Sequence, residues 1–147
     1  MKRKTFVDII AYLFIVLFIY ASVNKLMDYE NFSAELGKSP LLTAFAGWVA
    51  WGIPAIELAV VVLLTVPKWI LVGFYAAFSL MTMFTAYIIA ILKFSDFIPC
   101  SCGGVLQSMN WDQHLVFNIF FIVLGFIGIL LYEADDHKTV KVQPVAA

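Results

Sequence analysis

With 147 residues, 63% of them apolar and only 13% charged, and a mean hydropathy of +0.96, the chain falls outside the composition of ordinary soluble domains. Its formal net charge is −1, and its basic residues are scattered apart from Lys2-Arg3-Lys4. With no glycine-rich phosphate loop or dinucleotide fingerprint either, this argues against nucleic-acid and nucleotide binding. Four long apolar runs leave no length for a soluble domain, so the expected fold is all-α, a single integral membrane four-helix bundle spanning 1–147.

The first run, Phe6 to Val23, follows the basic start. A secretory signal peptide shares both features, but the run is long for such a segment and Tyr20-Ala21-Ser22 is a poor cleavage site. It is therefore read as the first span. Asn24 to Pro40 is polar, with Phe32, Leu36 and acidic residues suited to a short interfacial helix that Ser39-Pro40 would end. Leu41 to Val66 is the second span and holds one charge, Glu57. The connection at Pro67-Lys68 is so short that the second and third spans must be antiparallel neighbours. Trp69 to Leu92, the third, carries no charge, and Lys93 to Gln113 holds both cysteines. His114 to Tyr132 is the fourth span, followed by a tail over 133–147.

Retained positive charge marks the cytoplasmic side of a bacterial inner membrane. With the N terminus inside, Lys2, Arg3, Lys4, Lys68, Lys138 and Lys141 are cytoplasmic and Lys25, Lys38 and Lys93 are not, a bias of six to three. Both termini are then cytoplasmic. Cys100 and Cys102 face the periplasm, the oxidising side. Trp48, Trp51, Trp69 and Trp111 fall where an aromatic belt would anchor the helices.

The only two cysteines stand two apart in Pro99-Cys100-Ser101-Cys102-Gly103-Gly104. A helix would point them to opposite faces, whereas a turn, which Pro99 and the glycines favour, brings the sulfurs together. A disulfide across so short a loop is strained and hence labile, as a redox pair requires. Three readings are open: a redox pair, an inert or structural pair, and a metal site completed by His114. As a staple the loop would contribute only about 1.6 kcal/mol. For metal, the spacing matches no standard zinc signature.

Glu57 stands about midway along its span, where a carboxylate costs about 2.5–3.5 kcal/mol and usually faces the bundle interior. It is either a functional acid or a glue residue, neutral or paired with Lys25. Pro54, one turn earlier, loosens the helix and frees a carbonyl. His114 and Asn118, four apart, share a helix face beside the cysteine loop. Asn24, Lys25 and Thr85 bring further polar groups to the outer half.

Together, Asn24-Lys25-Leu26, Pro54-x-x-Glu57-Leu58, the cysteine motif and Trp111-x-x-His114-x-x-x-Asn118 resemble the MauE/DoxX family of redox-associated membrane proteins over nearly the whole chain. The resemblance implies a four-helix inner-membrane protein. Members of the MauE branch are associated with disulfide formation during maturation of a periplasmic dehydrogenase, and DoxX relatives include a subunit of a thiosulfate:quinone oxidoreductase. For this chain the resemblance implies a thiol–disulfide oxidoreductase that passes electrons between periplasmic thiols and the membrane, with a quinone as the implied acceptor and no tightly bound cofactor. Cys100, Cys102, His114 and Glu57 would be its catalytic residues, and Asn118, His114 and Lys25 would bind the quinone. Its partner would be a periplasmic thiol/disulfide protein, thioredoxin-like or a client of one. The plan is also similar to that of DsbB and the vitamin K epoxide reductases, which use more than one cysteine pair where this chain has one Cys-x-Cys. The alternatives are a non-enzymatic accessory or assembly subunit and metal handling by the cysteines.

Reporter fusions after Lys38 and Val105 are expected to behave as periplasmic, and fusions after Lys68 and Ala147 as cytoplasmic. A periplasmic C terminus would overturn the topology and the oxidising location of the cysteines.

Overall fold

The computed structural model describes residues 2–39, 42–94 and 109–142, with side chains described as far as 134. Its elements are α1 (Lys2–Met27), α2 (Tyr29–Lys38), a 3-10 turn at Thr43–Phe45, α3 (Ala46–Thr65), α4 (Ile70–Phe94) and α5 (Trp111–Val142). Four helical segments, Lys2–Met27, Thr43–Thr65, Ile70–Phe94 and Trp111–Ala134, are long and apolar enough to cross a membrane. The chain is thus an all-α, multi-pass membrane protein. The pair Cys100 and Cys102 and the last five residues of the tail lie outside the described residues.

The helices outrun the apolar runs at both ends of the chain. α1 begins at Lys2, and α5 continues past Tyr132 to Val142. Hydropathy marks where lipid ends, while a helix extends into water wherever its backbone bonds persist. α5 also starts earlier than the apolar run, at Trp111. The Gln113 side chain accepts from the Asn110 backbone N–H at 3.2 Å, and the His114 N–H donates to the Asn110 carbonyl at 2.9 Å. This is half of a capping box, set by the spacing Asn110-x-x-Gln113.

The short helix expected between Asn24 and Pro40 is α2. It is amphipathic, burying Phe32 and Leu36 against Ala50, Val49 and Ile53. It ends at Ser39, whose ψ of 122° is the extended conformation that a following proline requires.

α1, α3, α4 and α5 run alternately up and down. The end where α1 stops and α5 starts is called distal here, and the opposite end proximal. Phe14, Phe18 and Phe74 are fully buried at the centre of the packing, with Phe14 meeting Phe74 and Phe121 edge-on at centroid distances of 6.4 and 5.3 Å. In lipid, such contacts rather than water exclusion hold helices together, so close approach matters. The proximal half has it. A Cβ on Gly73 would stand 2.9 Å from the Leu64 backbone nitrogen, and one on Gly128 would stand 2.7 Å from the Phe74 ring. Tyr75 also donates to Glu133 at 2.8 Å, tying α4 to α5.

Gly128→Val is therefore expected to force Phe74 out of place and to cost about 1–3 kcal/mol. Gly47→Ala, where a Cβ meets nothing within 4 Å, should be neutral or slightly stabilising. Reversible unfolding in mixed micelles checks both, and equal stability of the two variants would contradict the close-packed proximal half.

Candidate functional site

Lys25, Glu57, His114 and Asn118, singled out on α1, α3 and α5, converge in the distal half. Ser22 and Lys25 are three apart, on one face of α1, and Glu57 stands three residues after Pro54 on α3. The Glu57 side chain is 0% exposed and that of Lys25 11%. Lys25 Nζ donates to Glu57 Oε1 at 2.7 Å, and Ser22 Oγ donates to Oε2 at 2.9 Å. Both carboxylate oxygens are thus engaged by α1. The Ser22 hydroxyl also approaches the Pro54 carbonyl at 3.5 Å, but its single proton belongs to the shorter contact. Neither charge would be tolerated alone in this environment, and together they satisfy one another.

Lys25 is further held between aromatic faces. Its ammonium lies 6.0 Å from the Phe32 ring centre on α2 and 5.7 Å from that of Phe84 on α4. One side chain therefore links four helices at the distal end.

His114 and Asn118 face the same space from α5. His114 stacks on Trp111, with centroids 6.3 Å apart and planes 12° off parallel. Trp111 is therefore more than a belt anchor. His114 Nδ1 and Asn118 Nδ2 are buried and have no hydrogen-bond partner among the described residues, and Asn118 is only 3% exposed. A buried amide left unpaired costs about 1–3 kcal/mol, which marks a place for a ligand or water. Thr85 spends its hydroxyl on the Met81 carbonyl of its own helix, at 2.8 Å, and adds no free group.

These residues border one cavity of about 620 Å³, reached by Lys25, Glu57, His114 and Asn118 and otherwise walled mainly by aromatic and aliphatic side chains. The volume and the apolar walls with a few converging polar groups are those of small-molecule sites. Ser22, the Trp111 stack and the Phe32–Phe84 clamp are site features that sequence reading missed. The signals in the residues were the i, i+3 spacings of Ser22 to Lys25 and of Trp111 to His114. Among the described residues, no group of three or more His, Cys, Asp or Glu side chains could hold a metal ion.

The model of the family described as methylamine utilisation protein MauE matches residues 3–131, which include all the residues of this cluster. Comparison with curated proteins and with solved structures finds no match.

If the pair holds α1 to α3, Lys25→Met is expected to cost about 3–5 kcal/mol by stranding the buried carboxylate. The double variant Lys25→Met, Glu57→Leu should recover most of that loss. Unfolding in mixed micelles measures both, and a double variant as unstable as the single one would show that the pairing itself is not what the site depends on.

Proposed function

The chain belongs to the MauE family, and on that footing we propose that it is a redox-maturation protein of the bacterial inner membrane, serving methylamine utilisation by taking electrons from periplasmic thiols into the membrane. The observation that carries this reading is the unpaired Asn118 amide and His114 ring nitrogen, turned into an apolar cavity in the half of the bundle where the α4–α5 connection, the segment containing Cys100 and Cys102, is attached. The orientation, N-in and C-in with the cysteines periplasmic, is supported by the six-to-three charge bias.

In this reading a partner thiolate attacks the Cys100–Cys102 disulfide, forming a mixed disulfide and releasing one thiolate of the pair. The partner's second thiol displaces the other, so the partner leaves as a disulfide and the pair is left as a dithiol. Two electrons and two protons have then moved to the chain. A quinone supplies the matching chemistry, accepting two electrons and two protons as the pair is reoxidised. The residues present fit such a group: Asn118 Nδ2, with no partner among the described residues, can donate to a carbonyl oxygen, and His114 can hold or pass a proton. Lys25 and Glu57 fix the depth of the site, and Trp111 and the surrounding rings offer flat apolar faces.

Cys100→Ser and Cys102→Ser are each expected to abolish oxidation of the partner, and one of them to trap a mixed disulfide that alkylation-shift gels reveal. Full activity in both variants would end the redox reading. Dependence of a partner complex on stoichiometric amounts of the chain, without thiol turnover, would then favour a non-enzymatic assembly subunit. Metal-dependent protection of the thiols would favour metal handling.

A further inference from the structure

We infer that the cavity opens sideways into the bilayer between the distal halves of α3 and α4, and that its occupant is an uncharged carbonyl compound carrying an apolar chain. The inference rests on the acceptor reading for the importance of the site and adds to it the route and the ligand class.

The geometry of α3 and α4 is asymmetric. At the proximal end the two helices touch at Leu64 and Gly73, too closely for a Cβ. Toward the distal end the cavity occupies the space between them, with Trp48, Gly52 and Ile56 on one side and Met83, Phe84 and Tyr87 on the other. Several of these wall residues are also outer-surface residues. Trp48 is 85% exposed, Met83 52% and Ile56 50%, all on helices that cross the membrane. A side chain that both lines a cavity and meets lipid marks a wall one residue thick or open.

The distal mouth is roofed instead. α2 lays Phe32 and Leu36 over the cavity and against Ala50, burying both to within a few per cent, and the Trp111–His114 stack closes the α5 side. An occupant leaving through water would have to displace these contacts, whereas the lipid route crosses only flexible apolar side chains.

Charge limits what can enter. The carboxylates that line the cavity are already engaged, Glu57 by Lys25 and Glu35 by Lys38, each at 2.7 Å. A charged ligand would lose its hydration and break one of these pairs to gain a counter-ion. Of the polar side-chain atoms lining the cavity, those without a partner among the described residues are Asn118 Nδ2, a donor, and His114 Nδ1, so the occupant presents a carbonyl-type acceptor to the amide. Its chain extends through the α3–α4 gap into lipid, where each buried methylene is favourable.

Gly52 supplies the test, because a Cβ there meets nothing within 4 Å although the residue lines the cavity. Side chains added at Gly52 therefore grow into the opening without pushing on protein. The full chain carrying Cys100→Ser and Cys102→Ser is reconstituted in liposomes with a decyl-substituted benzoquinone bearing a photoreactive diazirine at its chain end. Cross-linked peptides are then mapped by mass spectrometry. The absence of thiols removes adduct formation and makes labelling independent of turnover.

Labelling is expected on the segments around Trp48–Ile56 and Met83–Tyr87 and should be competed by the unlabelled compound. It should fall by about tenfold in Gly52→Phe through steric exclusion. Gly47→Phe, on α3 but outside the cavity wall, should label like the parent, and Gly52→Ala should fall between. Labelling spread evenly over the lipid face, or unchanged in Gly52→Phe, would overturn the portal. Equal protection by a chainless sulfonated benzoquinone, or by phospholipid alone, would overturn the ligand class. Specific labelling in a protein whose cysteine variants prove fully active would leave the portal standing and sink only the redox reading, whereas thiol-dependent turnover with no specific labelling would do the reverse.

Discussion

A carboxylate placed midway through a membrane helix has to be answered from another helix, and the rest of the distal architecture depends on how Glu57 is answered. Its two oxygens are taken by Lys25 and Ser22, both on α1, so α1 and α3 are locked in one register. The lysine reaches inward from near the end of its helix, and its ammonium is sandwiched by Phe32 and Phe84. Those two rings bring α2 and α4 to the same point. A single charge pair thus sets the depth at which four helices meet and leaves room above it for a cavity. Buried pairs are weak contributors to net stability but strong enforcers of arrangement when one partner is lost. The arrangement here fixes where His114 and Asn118 can point.

Much of this was legible in the residues. The four spans follow from apolar length alone, because the bilayer sets a minimum that chance rarely meets. The amphipathic helix before Ser39-Pro40 follows from Phe32 and Leu36 standing four apart. Glu57 announces an interior position by its cost, and Lys25 was its natural partner by charge and by depth. His114 and Asn118 share a face because four residues make slightly more than one turn.

What was not legible depends on tertiary register. Ser22 is an unremarkable hydroxyl until α1 is set against α3, since serines in membrane helices ordinarily bond to their own backbone. Trp111 differs: it has the sequence context of a belt residue, yet its stack on His114 is a contact within one helical turn that the i, i+3 spacing already offered. The cavity is a property of five elements together and has no local signature. The extension of α5 to Val142 escaped for a different reason: hydropathy ends with the lipid, but helical bonding does not.

The contrast between the two halves of the bundle has a consequence for how the sequence can change. At the proximal end Gly73 and Gly128 sit where even one methyl group collides with a neighbour, so that half is constrained by size and hardly at all by chemistry. At the distal end the constraint is reversed. Side chains around Gly52 have space to vary in bulk, while Ser22, Lys25, Glu57 and Asn118 each hold a polar atom at a fixed depth. Drift in this protein should therefore read as two different alphabets along the same four helices. One conserves smallness toward the N-terminal face, and the other conserves hydrogen-bonding capacity toward the opposite face. The boundary between them lies near Phe14 and Phe121, where the aromatic packing divides the bilayer thickness in two.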